Sequence, residues 1–130
     1  MNGLHLIADL HDCRCAPGIL LDAAWLEAHC VAACTHHGLT VVGRLFHPFH
    51  DTAGMPAGVT GTVVLAESHL AIHTWPEVSG VTLDVYVCNF SGDNSARARA
   101  LFAEMIATFA PDRLEKKEVA RGHLAQVSGA

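Results

Sequence analysis

Ser68 follows Glu67 and precedes two nearby histidines, His69 and His73. A serine hydroxyl becomes a useful nucleophile only when a neighbouring base takes its proton. In an extended chain Ser68, Leu70 and Ile72 share one face, whereas His69, Ala71 and His73 share the other. His73 therefore reaches Ser68 only if the chain turns sharply beside the serine. Taken alone, such a pair is more often structural than chemical. Cys88 lies in an apolar alternating run, where it reads either as a small core residue or as a thiol able to move a proton. Other groups raise metal binding: His11, Cys13 and Cys15, with His47 and His50 near them, and Cys30 with Cys34 one helical turn apart. Cys-x-Cys is not a structural zinc spacing, however, and the Cys30–Cys34 pair lies in an apolar stripe, so no metal is expected.

The elements that must position these residues follow from periodicity and turn chemistry. Gly3 to Leu10 alternates and reads as a strand, and His11 to Gly18 as a turn segment. Asp22 is a plausible cap for a helix in which Leu21, Trp25, Ala28 and Ala32 recur, with Leu26, Cys30 and Ala33 beside them. Gly38 should end that helix, with His36 and His37 against its negative end. Leu39 to Phe46 is a strand. His47 to Gly58 carries Pro48, Gly54, Pro56 and Gly58 and is expected to be a loop. Val59 to Trp75 is strand-like but for Glu67-Ser68, and Pro76 to Gly80 makes a turn before a strand over Val81 to Asn89. Asn94 to Phe109 forms a helix with Ala98, Leu101, Phe102, Met105, Ile106 and Phe109 as its stripe. Pro111 stops it, Glu115 to Arg121 can form a last edge strand, and the tail over 123–130 is expected to be loose.

The resulting order, β-α-β-β-β-β-α-β, predicts an α+β two-layer sandwich: a mainly antiparallel sheet with two helices on one face. The sheet's other face mixes Thr82, Tyr86 and Cys88, too apolar for a plain solvated surface, so sheet-to-sheet dimerisation into four layers is expected. One domain over 1–122 accommodates all of this.

Composition narrows the classes of function. The chain of 130 residues is 51% hydrophobic and only 16% charged, which excludes a disordered chain. With a formal charge of −5 and lysine only at 116 and 117, no basic stripe exists for a nucleic-acid partner. No apolar run suits a membrane span and no basic leader precedes the first strand, so a cytoplasmic protein is expected. The odd count of five cysteines fits free thiols in a reducing compartment.

The run Glu67-Ser68-His69-Leu70-Ala71-Ile72-His73-Thr74-Trp75-Pro76-Glu77 resembles the processing segment of the prokaryotic S-adenosylmethionine decarboxylase proenzymes, and Asp84 and Cys88 follow at the spacing of that family. Gly3 to Leu10 looks like the family's first strand, and Glu118 to Gly122 like its last. His47-Pro48-Phe49 and Gly58-Val59-Thr60-Gly61 resemble the segment that precedes the processing site.

The resemblance implies a zymogen that cleaves itself between residues 67 and 68 into a β chain, 1–67, and an α chain, 68–130. Ser68 would become a pyruvoyl group, the covalent cofactor that takes the amine of S-adenosylmethionine as a Schiff base and accepts the electrons released with CO2. By the same resemblance Glu67 is the cleavage residue and His73 the proton acceptor of processing. Thr60 stands where relatives often carry a serine that assists, and Cys88 is the proton donor of catalysis. Glu77 would bind ribose hydroxyls, Phe49 would stack on the adenine, and Trp75 would line the site. The product is an aminopropyl donor for spermidine biosynthesis, and the family's homodimers draw each site from both protomers.

Two features depart from the family pattern. The segment between Phe49 and Thr60 is longer than the compact version, and Asn89-Phe90-Ser91-Gly92-Asp93 follows Cys88 where many relatives have Gly. Both border the pocket. They leave room for the same chemistry on arginine or ornithine, with Asp51 the acid placed to receive a basic side chain. A metal-binding protein using the Cys and His groups is the alternative of another class.

Overall fold

The computed structural model describes residues 2–124; of the tail expected over 123–130, residues 125–130 lie outside the described residues. Six strands form one sheet: β1 (Gly3–Cys13), β2 (Val41–His50), β3 (Pro56–Leu65), β4 (Ser68–Trp75), β5 (Gly80–Cys88) and β6 (Pro111–Arg121). Two helices, α1 (Ala23–His36) and α2 (Ser95–Phe109), join β1 to β2 and β5 to β6. The spatial order is β2-β3-β4-β5-β1-β6, with every neighbouring pair antiparallel. β4 and β5 are therefore interior strands, and β2 and β6 are the edges. This is the α+β two-layer sandwich that the residue pattern predicts.

Alternation decides which sheet face the helices cover. Val81, Leu83, Val85 and Val87 of β5 are buried, as are Leu6, Ala8 and Leu10 of β1 and Leu70 and Ile72 of β4. Against them α2 packs Ala98, Leu101, Phe102, Met105 and Phe109, five of the six stripe residues read from its sequence, with Ile106 partly buried beside them. On α1 the buried positions are Leu26, Cys30, Ala33 and Cys34, not the row through Trp25, Ala28 and Ala32. That helix is apolar on several sides, so periodicity does not choose its inner face; Trp25 instead lies outside, stacked on His29 at 4.7 Å. Asp22 caps α1 by accepting the Trp25 amide at 3.0 Å.

Thr74 pins the sheet to the segment before α1. Its buried hydroxyl donates to Leu20 O at 2.7 Å and accepts from Val59 N at 2.8 Å.

The segment from His47 to Gly58 is not a loop. β2 runs to His50 and β3 starts at Pro56, leaving only residues 51–55 between them. Pro48 is tolerated because β2 is an edge strand, where a missing N–H removes no obligatory ladder bond. Gly58 takes φ +142°, and a Cβ there would lie 2.8 Å from Thr74 O, so only glycine fits this bulged end of the hairpin. Likewise β6 begins at Pro111, ahead of the expected Glu115, because Ala110 in a left-handed conformation turns the chain straight from α2 into the edge strand. Among the described residues no helix is long and apolar enough to cross a membrane.

Candidate active site

The β3–β4 hairpin closes on a two-residue turn, Ala66-Glu67, between the paired residues Leu65 and Ser68. The Ala66 amide donates to Thr40 O at 2.9 Å, fixing the turn against the entry to β2. Glu67 adopts φ +62°, a left-handed conformation that costs a residue bearing a Cβ roughly 1–2 kcal/mol. Its carboxylate accepts from Ser91 Oγ at 3.2 Å, which ties the turn to the segment after β5.

Ser68 opens β4 and is only 9% exposed. Among the described residues its Oγ is the one buried side-chain oxygen or nitrogen with no hydrogen-bond partner. Leaving a buried hydroxyl unpaired costs about 1–3 kcal/mol, so an orphan of this kind calls for a reason other than stability. Ser68 pairs with Val87 of β5, and Cys88 is the next residue along that strand, buried at its end. Ser68, the strained peptide and Cys88 therefore occupy one corner of the sheet, with the Ser68 side chain on the face of Val87 and, by alternation, that of Cys88 on the other.

The remaining expected residues gather elsewhere. A cavity of about 290 Å³ is lined by Phe49, Thr60, His73, Trp75 and Glu77, with Gly58 and Thr74 behind them. Thr60 Oγ1 lies 3.1 Å from His73 Nδ1, and the two residues face each other across the β3–β4 ladder. Trp75 Nε1 donates to Thr82 Oγ1 at 3.4 Å. The lengthened hairpin forms one wall of this pocket through Phe49 and Ala57. Within one chain His73 does not meet Ser68. Five residues of straight strand separate them, roughly 16 Å, and their side chains leave opposite faces of β4. The candidate site is thus two half-sites at the two ends of β4.

Asp51 does not face that pocket. Its carboxylate accepts the Ala53 and Met55 amides, each at 2.9 Å, and so organises the β2–β3 turn. The cysteines and histidines considered for metal binding do not assemble either. Among the described residues the one group with metal-ligand closeness is His5, His69 and Asp84, which contains none of them. Burial pushes the Cys30 thiol far above its ordinary range and the Cys34 thiol up to about 12, and Cys13 is pushed up to about 11 by burial and by Cys15. A larger cavity, about 530 Å³, lies between α2 and β6 beside Phe102, Ile106 and Leu114, away from both half-sites.

Sequence reasoning passed over the polar cluster on the uncovered sheet face: His5, His69, Asp84 and Arg121. Alternation places each on that face, but their meeting depends on strand register, which brings together residues as far apart as His5 and Arg121.

Comparison with known proteins is consistent from end to end of the described chain. The family profile described as S-adenosylmethionine decarboxylase matches residues 4–122. A protein of Syntrophomonas wolfei named S-adenosylmethionine decarboxylase proenzyme is 38% identical over 126 residues, covering 95% of this chain and 90% of its own. A namesake from Fervidobacterium nodosum is 36% identical over 96% of this chain and 83% of its own. The crystal structure of the adenosylmethionine decarboxylase from Aquifex aeolicus superposes with a TM-score of 0.80 at 30% identity, covering 98% of this chain and 97% of that one.

Proposed function

The chain belongs to the S-adenosylmethionine decarboxylase family, and from that premise we propose how its own residues make and use the active group. The enzyme removes CO2 from S-adenosylmethionine and yields an aminopropyl donor for spermidine synthesis, after cutting itself between Glu67 and Ser68. The observation that carries this reading is the unpartnered, buried Ser68 hydroxyl directly after a left-handed Glu67.

Those two features fit a serine-derived pyruvoyl group. The Ser68 hydroxyl has no competing hydrogen bond to give up when it attacks the Glu67 carbonyl carbon. As the O–C bond forms, the Glu67–Ser68 C–N bond breaks, leaving an ester and a free Ser68 amine; the left-handed strain at Glu67 favours leaving the starting geometry. Removal of the Ser68 Cα proton then expels Glu67 as a carboxylate and leaves dehydroalanine at 68. Water releases its nitrogen as ammonia, so the α chain, 68–130, begins with a ketone and the β chain, 1–67, ends in Glu67. When present, that ketone supplies the electron sink that loss of CO2 from an α-amino acid requires.

The other residues divide by half-site. Cys88, one step along β5 from the partner of Ser68, donates the proton that replaces CO2. In the second half-site Glu77 accepts from ribose hydroxyls, Phe49 stacks on the adenine, and Trp75 closes the wall. With His73 Nδ1–H donating to Thr60 Oγ1, Nε2 is left to take the Ser68 Cα proton during processing.

The distance along β4 supports a homodimer whose sheets face each other, so that His73, Thr60, Phe49 and Glu77 of one copy serve Ser68 and Cys88 of the other. Residues 1–122 act as one domain within it. A cytoplasmic setting accords with five cysteines that form no disulfide.

Intact-mass analysis of purified protein tests the core of this reading. Two fragments meeting between residues 67 and 68, and CO2 release from S-adenosylmethionine, are the expected results. A chain that stays whole with an unmodified Ser68 would overturn it.

A further inference from the structure

On the uncovered sheet face, beside the cleavage turn, side chains from three strands meet on one oxygen. His5 of β1 and His69 of β4 place Nε2 against Asp84 Oδ2 of β5, at 2.8 and 2.7 Å. On its far side, His5 Nδ1 lies 2.9 Å from a guanidinium nitrogen of Arg121 on β6. Arginine only donates, so His5 Nδ1 accepts and the proton of the neutral ring is on Nε2, where it is given to Asp84. Burial works against the charge of Asp84, but hydrogen bonds from His69 and His5 outweigh it and hold the carboxyl below its ordinary range. An ionised carboxylate only accepts, so His69 Nε2 donates as well. Tyr86 sits among these groups, edge-on to His5 at 5.6 Å, with the Arg121 guanidinium 4.8 Å from its ring centroid. Gly3 gives it room, because a Cβ there would come within 2.9 Å of the Tyr86 hydroxyl. The three donor atoms are close enough for a metal ion. However, both Nε2 atoms carry protons, and a guanidinium stands behind His5, which argues for a hydrogen-bonded chain.

The position of this chain indicates its use. His69 is covalently next to residue 68, and cleavage turns residue 68 from part of a hairpin into a chain terminus. Termini fray unless tied down. His69 is the first side chain after the cut that is held from another strand, by a charge-assisted bond of the stronger kind.

We propose that the Arg121–His5–Asp84–His69 network clamps the new chain end, with Asp84, His5 and Arg121 as positioning residues that keep residue 68 aligned with Cys88. This proposal rests on the self-cleavage reading above. Asp84→Asn keeps the shape of the side chain and removes its charge; His11→Gln, which breaks the His11–Glu115 contact elsewhere on the sheet, serves as the control. Three quantities are measured: the fraction cleaved by intact mass, hydrogen exchange of the peptide covering residues 68–75, and kcat with KM on the cleaved material.

Asp84→Asn should cleave, and exchange of that peptide should then quicken about tenfold. Its kcat should fall by about tenfold or more, while KM stays within about twofold. His11→Gln should match the wild type in all three measurements. Wild-type exchange in cleaved Asp84→Asn would overturn the clamp, as would an Asp84→Asn chain that folds yet stays whole, since the network would then act before cleavage. Should Asp84→Asn fail to fold, His5→Gln removes the middle link and is read by the same criteria. A wild-type chain that never splits rejects the cleavage reading itself, whereas normal splitting with unchanged exchange rejects the clamp alone.

Discussion

Thr60 and His73 face each other across the β3–β4 ladder with Oγ1 and Nδ1 3.1 Å apart, and both stand a strand's length from the serine they are proposed to serve. On the proposed dimer, a base so placed serves a second copy of the chain, and that can be tested. Ser68→Ala and His73→Ala should each remain uncleaved when expressed alone. Co-expressed with distinguishable tags, they form mixed dimers in which one site combines an intact Ser68 with an intact His73. Mass spectrometry should then find cleavage only of the His73→Ala chain. Cleavage of His73→Ala by itself would show that another group takes the proton.

Cys88 can be separated from processing because its proposed task comes after the cut. Cys88→Ala should split at the same bond as the wild type. Its turnover should fall by about 10²–10⁴-fold, the usual worth of a positioned proton donor. An uncut Cys88→Ala chain would place the thiol in the processing step instead.

Glu77 is assigned to hydrogen bonds that hold substrate before and during reaction alike. Glu77→Gln should therefore raise KM, by about tenfold to a hundredfold for lost bonds to a charged group, and leave kcat nearly unchanged. Steady-state kinetics on fully cleaved protein separates the two. A fall in kcat at constant KM would contradict a simple binding role.

The legibility of these features in the sequence was uneven, for identifiable reasons. β5 was readable because Val81, Leu83, Val85 and Val87 alternate strictly with polar partners. The β2–β3 hairpin was not, because Pro48, Pro56 and Gly58 are loop signals everywhere except at a sheet edge and a bulge, and edge position is a property of the whole sheet. The inner face of α1 was likewise decided by packing, since Trp25 and Leu26 are equally apolar. The run from Glu67 to Glu77 marked where the chemistry should lie, and five of the residues chosen line one pocket. Alternation already set Ser68 and His73 on opposite faces of an extended segment, whereas the meeting of Asp84 with two histidines was not legible, since it depends on strand register.

Acid stability provides a test of the Asp84 network with the correct sign built in. Its folded carboxyl titrates below the ordinary aspartate value of about 3.9, so the unfolded chain binds the proton first as pH falls. The stability it contributes is present above that value and is lost as pH drops through the lower, folded one. Thermal melts of uncleaved Ser68→Ala should thus decline below about pH 4, and adding Asp84→Asn should flatten part of that decline. Equal slopes in the two proteins would mean the carboxylate is not held in its charged form.

Thr74 has a structural role that can be measured apart from chemistry. Thr74→Val removes a hydroxyl serving Leu20 O and Val59 N in a buried place, leaving both backbone groups unpaired. The expected loss is about 1–3 kcal/mol in denaturant unfolding of the Ser68→Ala chain. A change below a few tenths would mean that water replaces the hydroxyl.

The proposed cut falls in the turn between two interior strands, so β3 and β4 would stay zipped side by side with nothing covalent joining them any longer. Folding of the precursor is a first-order event in one polypeptide. Reassembly of the mature protomer is a second-order encounter of two, neither of which owns a complete sheet. Its melting point should therefore rise with protein concentration even before dimerisation is counted, and dilution of denatured mature enzyme should recover far less protein than dilution of the Ser68→Ala precursor. On the proposed cleavage, folding comes first and maturation afterwards, and the step that creates the catalyst also removes the chain's ability to rebuild itself alone.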